Sequence, residues 1–283
     1  MMLTVAFLLA VVIGVSVGLL GGGGSILTVP MLAYVFHVAP REAIAISLFT
    51  VGTTSLVGMA SHASSGRVDP RVGLPFGAAG MAGATLSSRL ARGLDGHLVL
   101  MLFGLVMLVT AIAMLRGRGA PRAAAPSLPK AMLMGVGVGV LAGLVGAGGG
   151  FLVVPALVLF GGLPMTRAVG TSLLVITMQS AAGFAMQATQ APLPWTLALV
   201  VTGGSVTGAL LGVKLTAHIL PDRLRKGFAW LVLVMATLQL GKELSSLYFA
   251  MASKNSHSSS CLARASSRPS SMSWRANSPS NRR

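Results

Sequence analysis

Two glycine-rich segments are the parts of this sequence most able to do chemistry. One reads GGGGS and the other GAGGG, and their candidate site residues are Gly21, Gly22, Gly23, Gly24 and Ser25, and Gly146, Gly148, Gly149 and Gly150. Each glycine lowers helix stability by about 1 kcal/mol relative to alanine, but it leaves open backbone that tolerates positive φ and close approach. If helices begin at Ile26 and Phe151, their free N–H groups face the two segments and favour a bound anion.

A proline follows each glycine segment by about one helical turn, at Pro30 and at Pro155. A kink at either proline would widen the exposure of backbone N–H groups. The simpler interpretation is that the glycines only let membrane helices pack closely, which is a common role of small residues there. Because the broken, proline-followed pattern occurs twice, we favour a substrate site over close packing alone.

Polar side chains with hydrogen-bonding capacity lie in the helices that follow. Ser47 has a counterpart at Ser172, with Thr171 beside it. These hydroxyls are able to donate to a bound oxyanion, or instead to satisfy carbonyl groups and bridge helices. Gln179 lies about two helical turns before Gln187. Since a buried amide is costly without a partner, we expect both amides to face the bundle interior, with pore lining as a second interpretation.

Acidic residues are rare and lie at the ends of apolar segments or between them: Glu42, Asp69, Asp95, Asp222 and Glu243. No carboxylate is therefore predicted inside the membrane, where proton relays often hold one. A site built from N–H groups and hydroxyls suits an anionic solute better than a cation, and a neutral solute is the alternative. The five histidines are scattered and are expected at membrane interfaces, so we predict no metal site and no cofactor.

The sequence offers no catalytic site. Ser25 follows four glycines, but no Gly-x-Ser-x-Gly motif surrounds it, and no His or Asp lies within an apolar segment to activate it. Intramembrane proteolysis by a carboxylate pair would need Asp residues in the helices. We therefore predict that the protein is not an enzyme, and a membrane scaffold or assembly factor is the remaining alternative to a transporter.

Long apolar segments must position these residues. The 283-residue chain has 54% hydrophobic residues, only 9% charged residues and a mean hydropathy of +0.82, whereas soluble domains carry about 25% charged residues. The continuously apolar segments are Met2–Leu20, Ala43–Ala60, Leu98–Leu115, Ala131–Val145, Ala168–Gln187, Trp195–Val213 and Phe228–Leu240. Several approach the roughly 20 residues that cross a hydrocarbon core of about 30 Å, and none alternates with the period of outer-membrane strands. The prediction is an all-α polytopic membrane protein.

The chain has a net charge of +16, and its basic residues lie near the expected membrane boundaries. Lys and Arg residues fall between apolar segments or near the C-terminus, where positive residues kept in the cytoplasm set topology. No basic face studded with aromatic side chains is available for stacking bases, so we predict no nucleic acid partner. The expected partners are the lipid bilayer and a small anionic solute, and the expected location is the inner (plasma) membrane.

The sequence repeats itself at an offset of 125 residues. Residues 14–36 read GVSVGLLGGGGSILTVPMLAYVF, and residues 139–161 read GVLAGLVGAGGGFLVVPALVLFG. The matches continue without a gap as Ala43 with Ala168, Ser47 with Ser172, Ser55 with Ser180, Gly58 with Gly183, Gly83 with Gly208, and Arg89 with Lys214. Matches between aliphatic residues count for little in apolar helices, but glycines, serines and a proline in register over this length are hard to obtain by chance.

We therefore predict two homologous halves, a first transmembrane repeat at 1–115 and a second at 131–252. The basic, proline-containing stretch 116–130 between them is predicted to be an extramembrane linker. The Ser- and Arg-rich stretch 253–283 has too few aliphatic residues to offset chain entropy, so it is predicted to be a disordered tail. Each half has a long apolar segment, a glycine segment, a short apolar segment and three further helices.

The short apolar segments, Ile26–Phe36 and Phe151–Phe160, are too brief to span a membrane at about 1.5 Å per residue. A glycine-broken helix or re-entrant segment is therefore predicted in each half of a fold with about eight transmembrane helices. Such backbone is tolerated at membrane depth only where protein or a water-filled cavity satisfies it. Re-entrant segments would make the halves inverted, which the basic loops favour. Four crossings in each half would make them parallel, which the basic tail favours.

The motif G-L-L-G-G-G-G-S-I-L-T-V-P of the first half, and G-L-V-G-A-G-G-G-F-L-V-V-P with the later A-V-G-T-S of the second, resemble the sulfite exporter TauE/SafE family, also called the toluene sulfonate uptake permease family. The resemblance covers about residues 3–245. It implies an inner-membrane permease for sulfite, organosulfonates or related small organic anions, which some members export and others import. The first half departs from the pattern, since AIAIS at 43–47 stands where the second half has AVGTS, and this weakens a specific role for Ser47.

Together these observations predict a transporter for a small anion. The predicted mechanism is alternating access around a site between the two glycine segments, with each half moving against the other. The residues and the resemblance leave open the identity of the anion, the direction of transport, the coupling ion and the oligomeric state.

Overall fold

A computed structural model describes most of the chain as helix. The described residues are 2–22, 28, 31–90, 96–116, 128–145, 150–187, 194–216, 219–220, 222–238 and 240–241. They contain no strand, so the predicted all-α fold is confirmed over these ranges. Close contacts join Met1–Leu240 into one compact unit, and Gly241–Arg283 form a second unit of which only Gly241 is described. The predicted Ser- and Arg-rich tail lies outside the described residues.

Nine helices follow one another along the described part of the chain. They are α1 (Met2–Leu20), α2 (Pro40–Ala63), α3 (Pro70–Leu90), α4 (Gly96–Leu115), α5 (Leu128–Val145), α6 (Gly150–Leu159), α7 (Met165–Gln187), α8 (Trp195–Thr216) and α9 (222–238). A single π-helical turn, Met31–Val35, lies between α1 and α2. Helix α5 begins within the predicted linker, whose residues 117–127 lie outside the described part.

Ordinary start signals fix the ends of α2 and α3. Proline occupies the first turn of α2, and Glu42 in the same turn interacts favourably with the positive end of the helix dipole. Asp69 precedes α3 and its Oδ1 accepts a hydrogen bond of 3.1 Å from the backbone N–H of Arg71. A carboxylate in this position satisfies an N–H group that the helix itself leaves without a partner. Pro40 and Glu42 therefore mark the start of α2, and Asp69 marks the start of α3.

Within the described ranges, four helices are long and apolar enough to cross a membrane, judged by length and composition. They cover Leu3–Leu20, Glu42–Ala63, Met165–Ala185 and Trp195–Thr216, and shorter apolar helices cover Gly104–Leu115 and Leu128–Leu141. Helix α1 buries Ala6, Ala10 and Val17 against its neighbours, whereas Leu8 is 65% exposed and Val12 is 63% exposed. An outer surface this apolar is suited to hydrocarbon and not to water.

Small residues bring two pairs of helices into backbone contact. A Cβ atom at Gly14 of α1 would collide with the carbonyl oxygen of Ser205 in α8, and one at Gly139 of α5 would collide with that of Gly80 in α3. Close approach of this kind is a common device in membrane helices, where packing and not the hydrophobic effect drives association. The two helix pairs α1–α8 and α3–α5 therefore depend on the absence of side chains at their contact points.

Both of these helix pairs run parallel. Further along α1 from the contact between Gly14 and Ser205, Gly18 meets the backbone of Ala209, so the sequence numbers rise together along α1 and α8. The carbonyl groups of Phe76 and Gly80 in α3 are met in the same order by Gly135 and Gly139 of α5.

Helices α2 and α7 cross in antiparallel directions. A Cβ atom at Gly58 would lie 3.2 Å from Leu173 Cδ1, and one at Gly183 would lie 3.2 Å from Leu48 Cδ2. Sequence numbers therefore fall along α7 as they rise along α2. The C-terminal end of α2 and the N-terminal end of α7 consequently lie on the same side of the bundle.

Helix α6 is short and lies in the interior. It has 10 residues, which at about 1.5 Å per residue give about 15 Å, half of a hydrocarbon core. Its side chains from Leu152 to Val158 are buried. It begins at Gly150 and ends at Leu159, close to the short apolar segment predicted at Phe151–Phe160. Of the other short apolar segment, predicted at Ile26–Phe36, Met31–Val35 form the π-helical turn, and residues 26–27 and 29–30 lie outside the described part.

Candidate functional site

The first glycine segment ends α1 and turns the chain out of helical geometry. The N–H of Gly21 still donates to the carbonyl of Val17, at 2.8 Å. Gly21 then has a φ of +67° and Gly22 a φ of +128°. Residues with a Cβ atom rarely adopt such backbone angles. The segment therefore uses glycine at these two positions because the backbone conformation requires it.

Ser172 of α7 binds the backbone at this turn. Its Oγ lies 2.7 Å from the carbonyl oxygen of Gly21 and also 2.7 Å from that of Val169, one turn earlier in α7. A hydroxyl group has a single hydrogen to donate, so the two carbonyls share it. The sequence left two roles open for this serine, donation to a bound oxyanion or to backbone carbonyls. In the described contacts its hydroxyl donates to backbone carbonyls, one of which belongs to the turn that follows α1.

The two glycine segments meet at Gly22 and Gly150. A Cβ atom at Gly22 would lie 2.7 Å from the carbonyl oxygen of Gly150 and 2.6 Å from Ile176 Cδ1. Gly150 is the first residue of α6, and Ile176 lies at the middle of α7, which runs from Met165 to Gln187. The broken end of α1 and the start of α6 thus come together about halfway along a long apolar helix.

The start of α6 gives this meeting point its electrostatic character. The first N–H groups of a helix have no partner within the helix, and its dipole is positive at that end. Pro155 lies within α6 and has no N–H to donate, so the helix also lacks one internal hydrogen bond near its first turn. These features favour negative charge beside Gly150.

Thr171 has a different partner from its neighbour Ser172. Its Oγ1 accepts a hydrogen bond of 3.0 Å from the backbone N–H of Asp69, the residue that precedes α3. Thr171 is fully buried. Its hydroxyl therefore ties the turn between α2 and α3 to α7, and it points to the outer end of the bundle and not to the meeting glycines.

Gln179 lies in the interior on the same face of α7 as Ser172 and Ile176, since these positions follow the helical repeat. A Cβ atom at Gly80 of α3 would lie 2.9 Å from Nε2 of Gln179. Both its Nε2 and its Oε1 are buried without a hydrogen-bond partner, which costs about 1–3 kcal/mol for each unsatisfied group. Ser47 of α2 is also buried.

One histidine differs from the interfacial position expected for all five. His62, in the last turn of α2, has a side chain with 0% exposure. Its Nε2 lies 3.5 Å from the carbonyl oxygen of Gly18 in α1, and its Nδ1 has no hydrogen-bond partner. The sequence placed it just beyond the apolar segment Ala43–Ala60, and nothing in that segment indicates that α1 and α7 cover it.

Buried hydroxyls on α2 form a second group that the sequence did not single out. Thr50 Oγ1 lies 3.0 Å from Thr202 Oγ1 of α8. Thr54 Oγ1 and Ser55 Oγ are buried without a partner. Thr50 and Thr54 lie one helical turn apart in an apolar segment, and this spacing is the sequence signal that could have identified the hydroxyls on α2.

Several predicted site residues lie outside the described part of the chain, and they are Gly23, Gly24, Ser25, Pro30, Gly146, Gly148 and Gly149. Of the residues that are described, Gly21, Gly22, Gly150 and Ser172 come together, and Gln179 follows along the same face of α7. Within the same described ranges, no group of three or more His, Cys, Asp or Glu side chains is arranged to hold a metal ion.

Comparison with known proteins agrees with this architecture. The sequence model of the sulfite exporter TauE/SafE family matches residues 6–238. A probable membrane transporter protein of Xylella fastidiosa (strain Temecula1) is 35% identical over 244 residues, which cover 83% of this chain and 94% of that protein. The probable membrane transporter protein YdhB of Bacillus subtilis (strain 168) is 25% identical over 235 residues, covering 81% and 96%. No solved structure matches the chain.

The family match covers both glycine segments, most of α1 and the whole of the other eight described helices. Its extent agrees with the resemblance expected from the motifs over residues 3–245. The relatives named above carry the description of probable membrane transporters, and the aligned residues cover 94% and 96% of their lengths. The chain therefore belongs to the sulfite exporter TauE/SafE family of multi-pass membrane transporters and is not an enzyme.

Proposed function

We propose that this transporter is a permease for a small anion, such as sulfite, an organosulfonate or a related organic acid, and that it binds the anion where the two glycine segments meet. The observation that carries the proposal is the contact between Gly22 and Gly150 at the level of Ile176. Transporters commonly bind solute near the middle of the membrane, between helices that are interrupted there.

The chemistry around this contact favours an anion over a cation. The N-terminal end of α6 presents N–H groups and a positive dipole end. The amide of Gln179 lies along the same face of α7 and has N–H donors without a partner. The described acidic residues lie at helix starts: Glu42 at α2, Asp69 at α3 and Asp222 at α9. The other glycines of both segments, with Ser25, Pro30, Ser47, Pro155, Thr171 and Ser172, complete the proposed site and its supports.

The helix contacts support a mechanism built on two related halves. The offset of 125 residues relates Gly14 to Gly139 and Gly80 to Ser205, and these are the partners in the two closest helix contacts. Gly58 against Leu173 and Gly183 against Leu48 form a second pair of contacts related by the same offset. Each half thus contributes one helix to each pair, so a movement of one half against the other would change both sides of the site.

The antiparallel crossing of α2 and α7 supports inversion of the halves, because these helices are equivalent under the offset. We propose eight crossing helices, α1–α5 and α7–α9, together with one discontinuous crossing in each half, which gives the odd number of crossings that inversion requires. Helix α6 is the described part of that crossing in the second half. The turn after α2, the start of α7 and the end of α8 then share a side, and they carry Arg67, Arg167 and Lys214. By the positive-inside rule this side is cytoplasmic, and the membrane is the inner one.

Transport by purified protein in liposomes tests this proposal. Wild-type protein is expected to give saturable flux of labelled sulfite, methanesulfonate or toluenesulfonate. Gly22→Ala is expected to abolish that flux, because the added Cβ meets Ile176 and Gly150 at a φ of +128°. The matched control is Gly203→Ala, since a Cβ at this helical glycine meets nothing within 4 Å.

A second variant separates loss of the site from loss of the fold. Gln179→Ala leaves the backbone unchanged and is expected to weaken anion affinity about tenfold, the effect of one lost hydrogen bond to a charged group. Full transport by both Gly22→Ala and Gln179→Ala would contradict the proposed site. A wild-type protein that shows neither flux nor a thermal shift with any of the three anions would instead indicate a scaffold and would contradict the permease itself.

A further inference from the structure

A buried histidine lies between the proposed anion site and one end of the bundle. His62 belongs to the last turn of α2, and its Nε2 approaches the carbonyl of Gly18, one helical turn before Gly21. A Cβ atom at Gly170 of α7 would lie 3.2 Å from the Cβ of His62. His62 therefore lies between α1, which its Nε2 approaches, and α7, which its Cβ approaches, and the residue has 0% exposure.

Two different side chains approach the same carbonyl of α1. Thr216 Oγ1 of α8 lies 3.4 Å from the oxygen of Gly18 and shares its hydrogen with the carbonyl of Gly212 in its own helix, at 2.9 Å. His62 Nε2 lies 3.5 Å from the oxygen of Gly18. The last carbonyl groups of a helix have no partner within the helix, which explains why donors collect there. Of these two side chains, only the imidazole of His62 titrates. Thr216 therefore serves as a control that contacts the same carbonyl but binds no proton.

The second ring nitrogen of His62 is available for that proton. If Nε2–H donates to Gly18, neutral imidazole carries its lone pair on Nδ1. Nδ1 is buried and has no hydrogen-bond partner. Protonation there would place a positive charge at the C-terminal end of α1, where the helix dipole is negative.

The charges around His62 are mostly positive. Helix α1 has no ionisable side chain between Met2 and Leu20, the turn after α2 has Arg67 and Asp69, the first turn of α7 has Arg167, and the last turn of α8 has Lys214. Asp69 Oδ1 already accepts the N–H of Arg71. A protonated His62 is therefore short of negative charge until an anion binds near Gly21 and Gly22.

We propose that His62 is the proton-binding residue that couples anion transport to proton movement in the same direction. This inference rests on the proposed function. An anion at the glycine turn favours protonated His62, and protonated His62 favours the anion by the same factor, because coupling between two sites is reciprocal. Protein that carries the anion changes its access from one side to the other, and a proton bound at His62 leaves together with the anion. No bond other than N–H at Nδ1 forms or breaks.

The test uses the full chain in liposomes with a pH-sensitive dye in the lumen. Inward gradients of methanesulfonate and of sulfite are applied to wild-type protein, His62→Gln and Thr216→Val. Any titration of the anion itself is common to all three proteins and cancels in the comparison. Glutamine keeps an N–H donor of similar reach but binds no proton, whereas Thr216→Val removes the other donor to Gly18 and leaves His62 unchanged.

Wild-type protein and Thr216→Val are expected to acidify the lumen in step with anion entry. His62→Gln is expected to exchange labelled anion at equilibrium but to give no more acidification than empty liposomes, and its net flux should become dependent on an imposed membrane potential. Anion affinity of the wild type should fall with rising pH by at most about tenfold per unit, the limit for one linked proton, and that of His62→Gln should be independent of pH.

Three results would overturn the inference. They are acidification by His62→Gln equal to that of the wild type, loss of equilibrium exchange in His62→Gln, and anion flux in the wild type without any acidification. The first and third leave the proposed permease intact, because anion still moves. Absence of flux in the wild type with both anions would contradict the permease as well as the role of His62.

Discussion

At the level of single residues, the proposed site depends on two neighbouring glycines, Gly21 and Gly22. Their positive φ values take the chain out of α1, and the space beside Gly22 is filled by Ile176 and the carbonyl of Gly150. Ser172 completes the arrangement by binding the carbonyl of Gly21. In a hydrocarbon environment a carbonyl group without a hydrogen-bond donor raises the free energy of the folded state. The hydroxyl of Ser172 therefore stabilises the turn that ends α1.

Replacement of Ser172 by alanine tests the role of this hydroxyl. The variant leaves the carbonyl of Gly21 without its donor, and the free energy of unfolding should fall by about 1 kcal/mol. Anion affinity should fall as well, because the glycine turn is no longer held against α7. Thermal unfolding in detergent and anion flux in liposomes measure the two effects.

The control for that variant is Thr177→Val on the same helix. Thr177 Oγ1 donates at 2.8 Å to the carbonyl of Leu173, which lies in the same helix, α7. Its loss should change neither the thermal midpoint nor the flux appreciably. Equal effects of Ser172→Ala and Thr177→Val would show that the contact with Gly21 has no special role.

The sequence predicted the residues of the turn better than those around it. The glycine motif indicated Gly21, Gly22 and Gly150 because repeated glycine directly after a long apolar segment interrupts the helix at that point. His62 was misplaced at an interface, since its burial depends on α1 and α7, which are distant in sequence. Contacts of this kind leave no periodic pattern along the chain.

At the level of elements, composition predicted most helices but not how they pair. Helix α6 was predicted within one residue at each end, because its ten apolar residues lie between a glycine segment and a turn. Helix α3 had no continuous apolar segment of its own, since glycine, alanine and serine alternate with larger residues from Gly73 to Ser88. The pairing of α3 with α5 follows from glycine contacts that uniformly apolar helices do not reveal in sequence.

Alanine at Gly139 tests the dependence of α3 and α5 on close approach. The added Cβ collides with the carbonyl of Gly80, which does not yield as a flexible side chain would. Overpacking of this kind costs about 1–3 kcal/mol, so the thermal midpoint in detergent should fall. Gly137→Ala on the same helix meets nothing within 4 Å and should be neutral or stabilising, since alanine favours helix more than glycine does. A stable Gly139→Ala would mean that the helices do not depend on this contact.

At the level of the whole molecule, the helix directions decide how alternating access would work. In inverted halves, α1 with α8 and α3 with α5 exchange roles when the protein turns from one side to the other. One half then closes the path on the side where the other opens it. In parallel halves, the equivalent elements face the same side and cannot alternate in this way. The orientation of equivalent turns therefore distinguishes a symmetric switch from a simple duplication.

Labelling of single cysteines gives that orientation directly. Ala39 precedes α2 and Pro164 precedes α7, both are exposed, and the offset of 125 residues makes them equivalent. After Cys261, the sole native cysteine, is replaced by serine, Ala39→Cys and Pro164→Cys are made separately and treated with a membrane-impermeant maleimide. Inversion predicts that Pro164→Cys is labelled in inside-out vesicles and Ala39→Cys in right-side-out vesicles. Detergent should make both accessible, and labelling of both from the same side would require parallel halves and exclude the symmetric switch.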